Sequence, residues 1–194
     1  MEIIDTHCHL DAEEFDSDRD AVLKRCRQQN IAKIVVPAIQ ASGWNKLINL
    51  CEKENGLYPA LGLHPVFIQQ HHDNDLFQLE ELVKTKHPVA IGEIGLDFYL
   101  KDLDQQLQIH FFEEQLKLAK KYDLPVILHV RKAHDAVLQL LKKYKIKGGF
   151  SHAFNGSLQQ AQQYIELGFK LGFGGTLTYK NSNKIHQLAK SLPL

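Results

Sequence analysis

Ile3-Ile4-Asp5-Thr6-His7-Cys8-His9 opens the chain as a β-strand closed by two histidines. Side chains alternate faces along a strand, so His7 and His9 share one face and Cys8 takes the other. Two imidazoles side by side on a rigid element are half of a metal site. A lone His-x-His is as readily a pair of ordinary polar residues at a strand end. The rest of the chain decides between these, because Glu93, His129 and His152 also lie in or at the end of apolar β-type runs.

Beyond that strand, short β-branched runs alternate with amphipathic helices. Ser17 is placed to cap a helix through about Gln29. Lys33 to Ile39 is a strand apolar enough for burial on both faces. Ser42 then caps a helix that Asn55-Gly56 ends. Strands follow at Tyr58–Leu63, Val89–Ile94, Val126–Val130, Gly149–Phe154 and Phe169–Phe173. Helices fall near Leu76–Thr85, Leu103–Tyr122, Ala133–Tyr144, Ser157–Leu167 and Ser182–Lys190. Repeated βα units make either an open doubly wound sheet or a closed (β/α)8 barrel. No Gly-x-Gly-x-x-Gly turn follows the first strand, against a dinucleotide-binding open sheet. Polar residues gather instead at the C-terminal ends of several strands, where an α/β barrel of the TIM type carries its active site. About seven βα units are present, so the barrel is one strand short. Residues 1–194 read as a single domain.

The formal net charge is zero, so no global field draws the chain to nucleic acid or an anionic membrane. Three scattered cysteines, Cys8, Cys26 and Cys51, are no disulfide framework. Cys26 and Cys51 read as small buried hydrophobes. No apolar run nears the roughly 18 residues of a membrane span, and no leader pattern precedes the first strand. A cytoplasmic protein without membrane contact is expected.

Four strand ends contribute ligand-type residues: His7 and His9, Glu93, His129 and His152. Imidazole nitrogen and carboxylate oxygen suit zinc, manganese or iron. A carboxylate can bridge two ions, and two divalent ions about 4 Å apart suit displacement at phosphorus or carbonyl carbon. Any one of these histidines alone reads as a hydrogen-bonded core residue; five ligand types at one barrel end read as a shared site. His64 ends the third strand and can serve as a substrate ligand or proton donor. Asp97 can orient a ligand or water, and Arg131 can meet an anion with its planar fork. His71, His72, His87, His110, His134 and His186 read as solvated, although His134 stands close enough to the fifth strand to line the mouth. Lys142, Lys143, Lys145 and Lys147 read as a solvated face at the barrel's bottom rather than a phosphate patch.

Five motifs, in this order, resemble those of the TatD family of metal-dependent hydrolases, nearest its YjjV-type branch. They are Asp5-Thr6-His7-Cys8-His9-Leu10-Asp11, Gly62-Leu63-His64-Pro65, Gly92-Glu93-Ile94-Gly95-Leu96-Asp97, Leu124-Pro125-Val126-Ile127-Leu128-His129-Val130-Arg131 and His152-Ala153-Phe154-Asn155-Gly156-Ser157. The resemblance implies a (β/α)8 barrel of the amidohydrolase-like superfamily. It implies two divalent metal ions (zinc, manganese or magnesium), His7, His9 and Glu93 holding one and Glu93, His129 and His152 the other. Phosphodiester hydrolysis follows, with DNA or another phosphodiester as substrate and a metal-activated water attacking phosphorus. Glu93, His64 and Arg131 are then the catalytic set.

Family members continue into an eighth strand with a Glu-Thr-Asp-type motif, whose aspartate ligates the first metal. This sequence ends at Ser191-Leu192-Pro193-Leu194. A truncated product or fragment is therefore expected, with open strand edges, weak occupancy of the first site, poor activity and association through the open barrel edge. No other protein partner is evident. Two other readings stay open: a hydrolase of small esters or amides on the same site, and a metal-binding remnant without turnover.

Overall fold

The computed structural model describes residues 2–146 and 148–193. Seven parallel strands follow one another across one sheet in chain order: β1 (Ile3–Asp5), β2 (Ile31–Pro37), β3 (Leu57–Leu61), β4 (Ala90–Asp97), β5 (Val126–Arg131), β6 (Gly149–Ser151) and β7 (Phe169–Leu171). A helix follows each: α1 (Arg19–Gln28), α2 (Trp44–Lys53), α3 (Asp73–Lys86), α4 (Gln105–Lys121), α5 (His134–Tyr144), α6 (Leu158–Glu166) and α7 (Asn183–Ser191). A doubly wound sheet reverses its strand order at a switch point. This sheet never does, and it curls as part of a barrel, as the βα alternation predicts. Among the described residues β1 and β7 do not pair, and β1 exposes Ile3 and Ile4 by about half.

The main core lies between the sheet and the helices, where Leu23, Leu47, Leu79, Leu116, Val137 and Ala161 bury one face of each of six helices. A second, small cluster of Ala60, Ala90 and Ile127, packed with Val35 and Phe150, comes from five successive strands. Two such faces make the sheet a barrel wall with a filled outer layer.

Several local expectations change. Ser17 caps nothing: α1 starts after Asp18 without a side-chain cap, and the Arg19 guanidinium instead donates to the carbonyls of Leu10 and Ala12. Ser42 lies inside a 3-10 turn, Ala41–Gly43, that leads into α2. Ser157 does cap α6, in a reciprocal box with Gln160. Asp104 caps α4, accepting from the backbone N–H groups of Gln106 and Leu107. β2 begins exposed at Ala32 and Lys33 and is buried only toward its end. Cys26 and Cys51 are half-buried rather than buried. Burial pushes the Cys51 thiol up to about 12, so it stays protonated and inert. Lys142, Lys143 and Lys145 are solvated as read, Lys143 on Glu113, while Lys147 lies outside the described residues.

Candidate metal centre

β4 carries the centre. It runs to Asp97, not Ile94, and every residue of it is buried. Its register against β5 is irregular between Ile91 and Ile94, and Glu93 sits in that irregularity. Such a break re-aims a side chain that regular pleating would place elsewhere. Glu93 is 2 % exposed, and its two oxygens face different partners. Oε2 lies 3.2 Å from His7 Nε2 and 3.4 Å from His9 Nε2. Oε1 lies 3.4 Å from His129 Nδ1 and 3.6 Å from His64 Nε2. Two groups of metal-ligand type therefore share one carboxylate: His7, His9 and Glu93, and His64, Glu93 and His129.

Outer partners fix which nitrogen each ring offers. His9 Nδ1 donates to the Pro37 carbonyl at 3.0 Å, which leaves Nε2 with its lone pair toward Glu93. His129 Nε2 donates to Asp97 Oδ2 at 3.0 Å, leaving Nδ1 for the centre. Asp97 is itself clamped: its Oδ1 accepts from the N–H groups of Tyr99 and Leu100, and its backbone exchanges two hydrogen bonds with the Gln108 side chain. His64 differs. Its Nδ1 accepts the Val66 N–H at 3.1 Å, so the neutral ring carries its proton on Nε2, facing Glu93.

The electrostatics agree with a place for cations. Burial disfavours the Glu93 carboxylate, yet the four imidazoles around it outweigh that and hold its pKa well below the usual range. Burial alone would lower His129, but Asp97 and Glu93 raise it to about 9. Burial, reinforced by the His7 ring, pushes His152 down to about 4. Glu93 Oε1 and His7 Nδ1 are buried without a hydrogen-bond partner. A buried carboxylate oxygen without a hydrogen-bond partner, beside the free Nδ1 of His129, fits a divalent cation.

β6 ends at Ser151, so His152 stands past the ladder, and its ring stacks on His7 at 3.9 Å. The structure brings His64, not His152, together with Glu93 and His129. Arg131 ends β5 exposed, its guanidinium 3.7 Å from the centre of the Tyr99 ring. His71 and His134 are not solvated. His71 is buried and donates to the His64 carbonyl at 2.9 Å; His134 is buried against Tyr164 and Asn155. Sequence reasoning missed Gln108 and Gln115. These two α4 side chains are buried seven residues apart on one face, and Gln115 grips the backbone of Leu63 as Gln108 grips that of Asp97. The available signal was a glutamine at core spacing on an apolar helix face.

Comparison with known proteins places this geometry. Residues 4–194 match the family model described as "TatD related DNase". A metal-dependent hydrolase of Escherichia coli K12, YjjV, described as uncharacterized, is 44 % identical over 98 % of this chain and 75 % of its own length. A Haemophilus influenzae protein of the same description is 38 % identical over 100 % of this chain and 78 % of its own. The crystal structure of YjjV, a TatD homologue, superposes with a TM-score of 0.93 over 98 % of this chain and 75 % of that one. Among the described residues no helix is long and apolar enough to cross a membrane. With its curled parallel sheet, its carboxylate shared by two histidine groups and this match across nearly all its residues, the chain belongs to the TatD family of metal-dependent hydrolases.

Proposed function

We propose that the chain hydrolyses phosphodiester bonds, with DNA as the leading substrate. The observation that supports this is Glu93, whose two oxygens each face their own set of imidazoles. His7, His9 and Glu93 would hold one divalent ion; Glu93 and His129, with His152 as the third ligand that the family resemblance implies, a second. Zinc or manganese suits these nitrogen donors better than magnesium. Two bound ions supply Lewis acidity at phosphorus and an attacking water of lowered pKa. The chain's own residues do the rest. Asp97 and Pro37 hold the rings of His129 and His9 in register. His64 presents an N–H that can donate to a substrate oxygen or a departing alkoxide. Arg131, exposed at the mouth, offers its fork to the phosphate.

Glu93→Gln tests the reading. Bound metal, measured by elemental analysis, should fall from two equivalents. Hydrolysis of single-stranded DNA and of bis-nitrophenyl phosphate should drop by more than about a hundredfold, beyond the cost of losing an outer partner. Full metal content with undiminished turnover would sink it. Wild-type turnover of carboxylic esters but of neither phosphodiester would move the substrate class instead.

A further inference from the structure

A cleft of about 470 Å³ opens at the same end of the sheet as the candidate centre, lined among others by Phe98, Lys132, His134, Asn155, Ser157 and Lys184. Its walls grow from the same strand ends. Phe98 follows Asp97 directly, Lys132 stands three residues after His129, and Asn155 three after His152. The volume falls within the range of small-ligand sites.

The cleft is preformed. Asn155 ties its parts together: the Nδ2 group donates to the carbonyls of Val130 and Ala153, and its backbone carbonyl accepts from Lys184 Nζ at 2.9 Å. His134, buried behind it, has both ring nitrogens engaged, with Tyr164 and with Asn155. Elsewhere Lys46, Lys84, Lys86, Lys117, Lys121 and Lys143 each lie against a carboxylate. Among the described residues Lys132 and Lys184, like Lys24, Lys33 and Lys120, have no such partner, and these two are exposed at one opening. The cleft's one carboxylate, Asp135, already accepts the Gln160 amide at 2.7 Å. Two ammonium groups against one engaged carboxylate make this a cationic cleft in a chain of zero net charge.

We infer that this cleft seats a second phosphate of the substrate, next to the scissile one, with Lys132 and Lys184 as its cation pair. The inference rests on the phosphodiester reading and adds to it a preference for substrates bearing two phosphates over a bare diester. The second phosphate is either an internal diester of a nucleic-acid strand or a terminal monoester.

The test is equilibrium binding of labelled hexathymidylate, with and without a 5′-phosphate, to the full chain across a salt series, followed by anisotropy. K132A/K184A should weaken binding about tenfold. It should also reduce the salt slope by roughly 0.7 for each phosphate that is no longer neutralised. K132R/K184R should restore most of the affinity. K24A, in α1 and outside the cleft, is the control for general charge loss. The ratio of kcat/KM for the hexanucleotide to that for bis-nitrophenyl phosphate should fall about as far as affinity does. A loss confined to the 5′-phosphorylated probe supports the terminal monoester, and an equal loss on both supports the internal diester. Unchanged affinity and slope in K132A/K184A overturns the inference; if that variant melts early, K132M/K184M, which keeps the apolar stems, decides. Lysine-dependent binding without hydrolysis of any phosphodiester leaves the cleft as a phosphate seat and removes the hydrolytic reading. Hydrolysis of both substrates without dependence on either lysine does the reverse.

Discussion

Asp97 shapes the centre without belonging to it. It accepts the His129 Nε2 proton at 3.0 Å and so presents Nδ1 to Glu93. Asp97→Asn keeps the size and removes the charge that lifts His129. Zinc affinity by calorimetry and phosphodiester turnover should each fall about 10- to 100-fold, and an unchanged affinity would show that His129 needs no orienter. His134 carries a pH dependence. Burial holds its pKa below the ordinary 6.5, so the folded chain resists a proton that the unfolded chain accepts. Its contribution to stability is full above about 6.5 and is lost as pH falls from there toward the folded value. The slope is at most about 1.4 kcal/mol per pH unit from this one group. In urea titrations at pH 7.5 and 5.5, His134→Asn should lose less stability on acidification than the wild type does. Parallel losses would place the titration elsewhere.

At the scale of the element, β4 depends on the absence of a side chain at Gly95. Gly95 pairs with His129 at φ +143°, and a Cβ built there falls 1.9 Å from the His129 carbonyl oxygen. Glu93 and Asp97, two residues to either side, reach the centre only while β4 and β5 stay this close. Gly95→Ala should cost about 3 kcal/mol or more, the sum of a disfavoured φ and a backbone clash. A denaturation midpoint equal to wild type would contradict that. α4 acts on the same strand from behind. Gln108 and Gln115 satisfy backbone groups of Asp97 and Leu63 that would otherwise be buried unpaired, at about 1–3 kcal/mol each.

At the scale of the molecule, the sheet has two unpaired edges among the described residues, and β1 presents Ile3 and Ile4 to solvent. An apolar parallel edge of this kind is a template for pairing. The chain should self-associate in the micromolar range in sedimentation velocity, and Ile4→Lys should shift it toward monomer. A wild type that stays monomeric across that range would show that twist or local motion already protects the edge.

The βα alternation, the barrel architecture and the identity of the residues at its mouth were all legible in the order of the amino acids. They follow from periodicity and from where polar residues interrupt apolar runs, and both are local properties. His7, His9, Glu93 and His129 stood out because each closes or breaks such a run. Which of them meet was settled only by the folded chain. A strand ladder that stops at Ser151 sets His152 against His7, and a turn at Pro65 gives His64 a backbone N–H that fixes its proton on the other nitrogen. The glutamine clamps on α4 and the lysine pair of the cleft join positions dozens of residues apart. No local pattern encodes such pairings, because they arise only when the curled sheet brings strand ends and helix starts into one place.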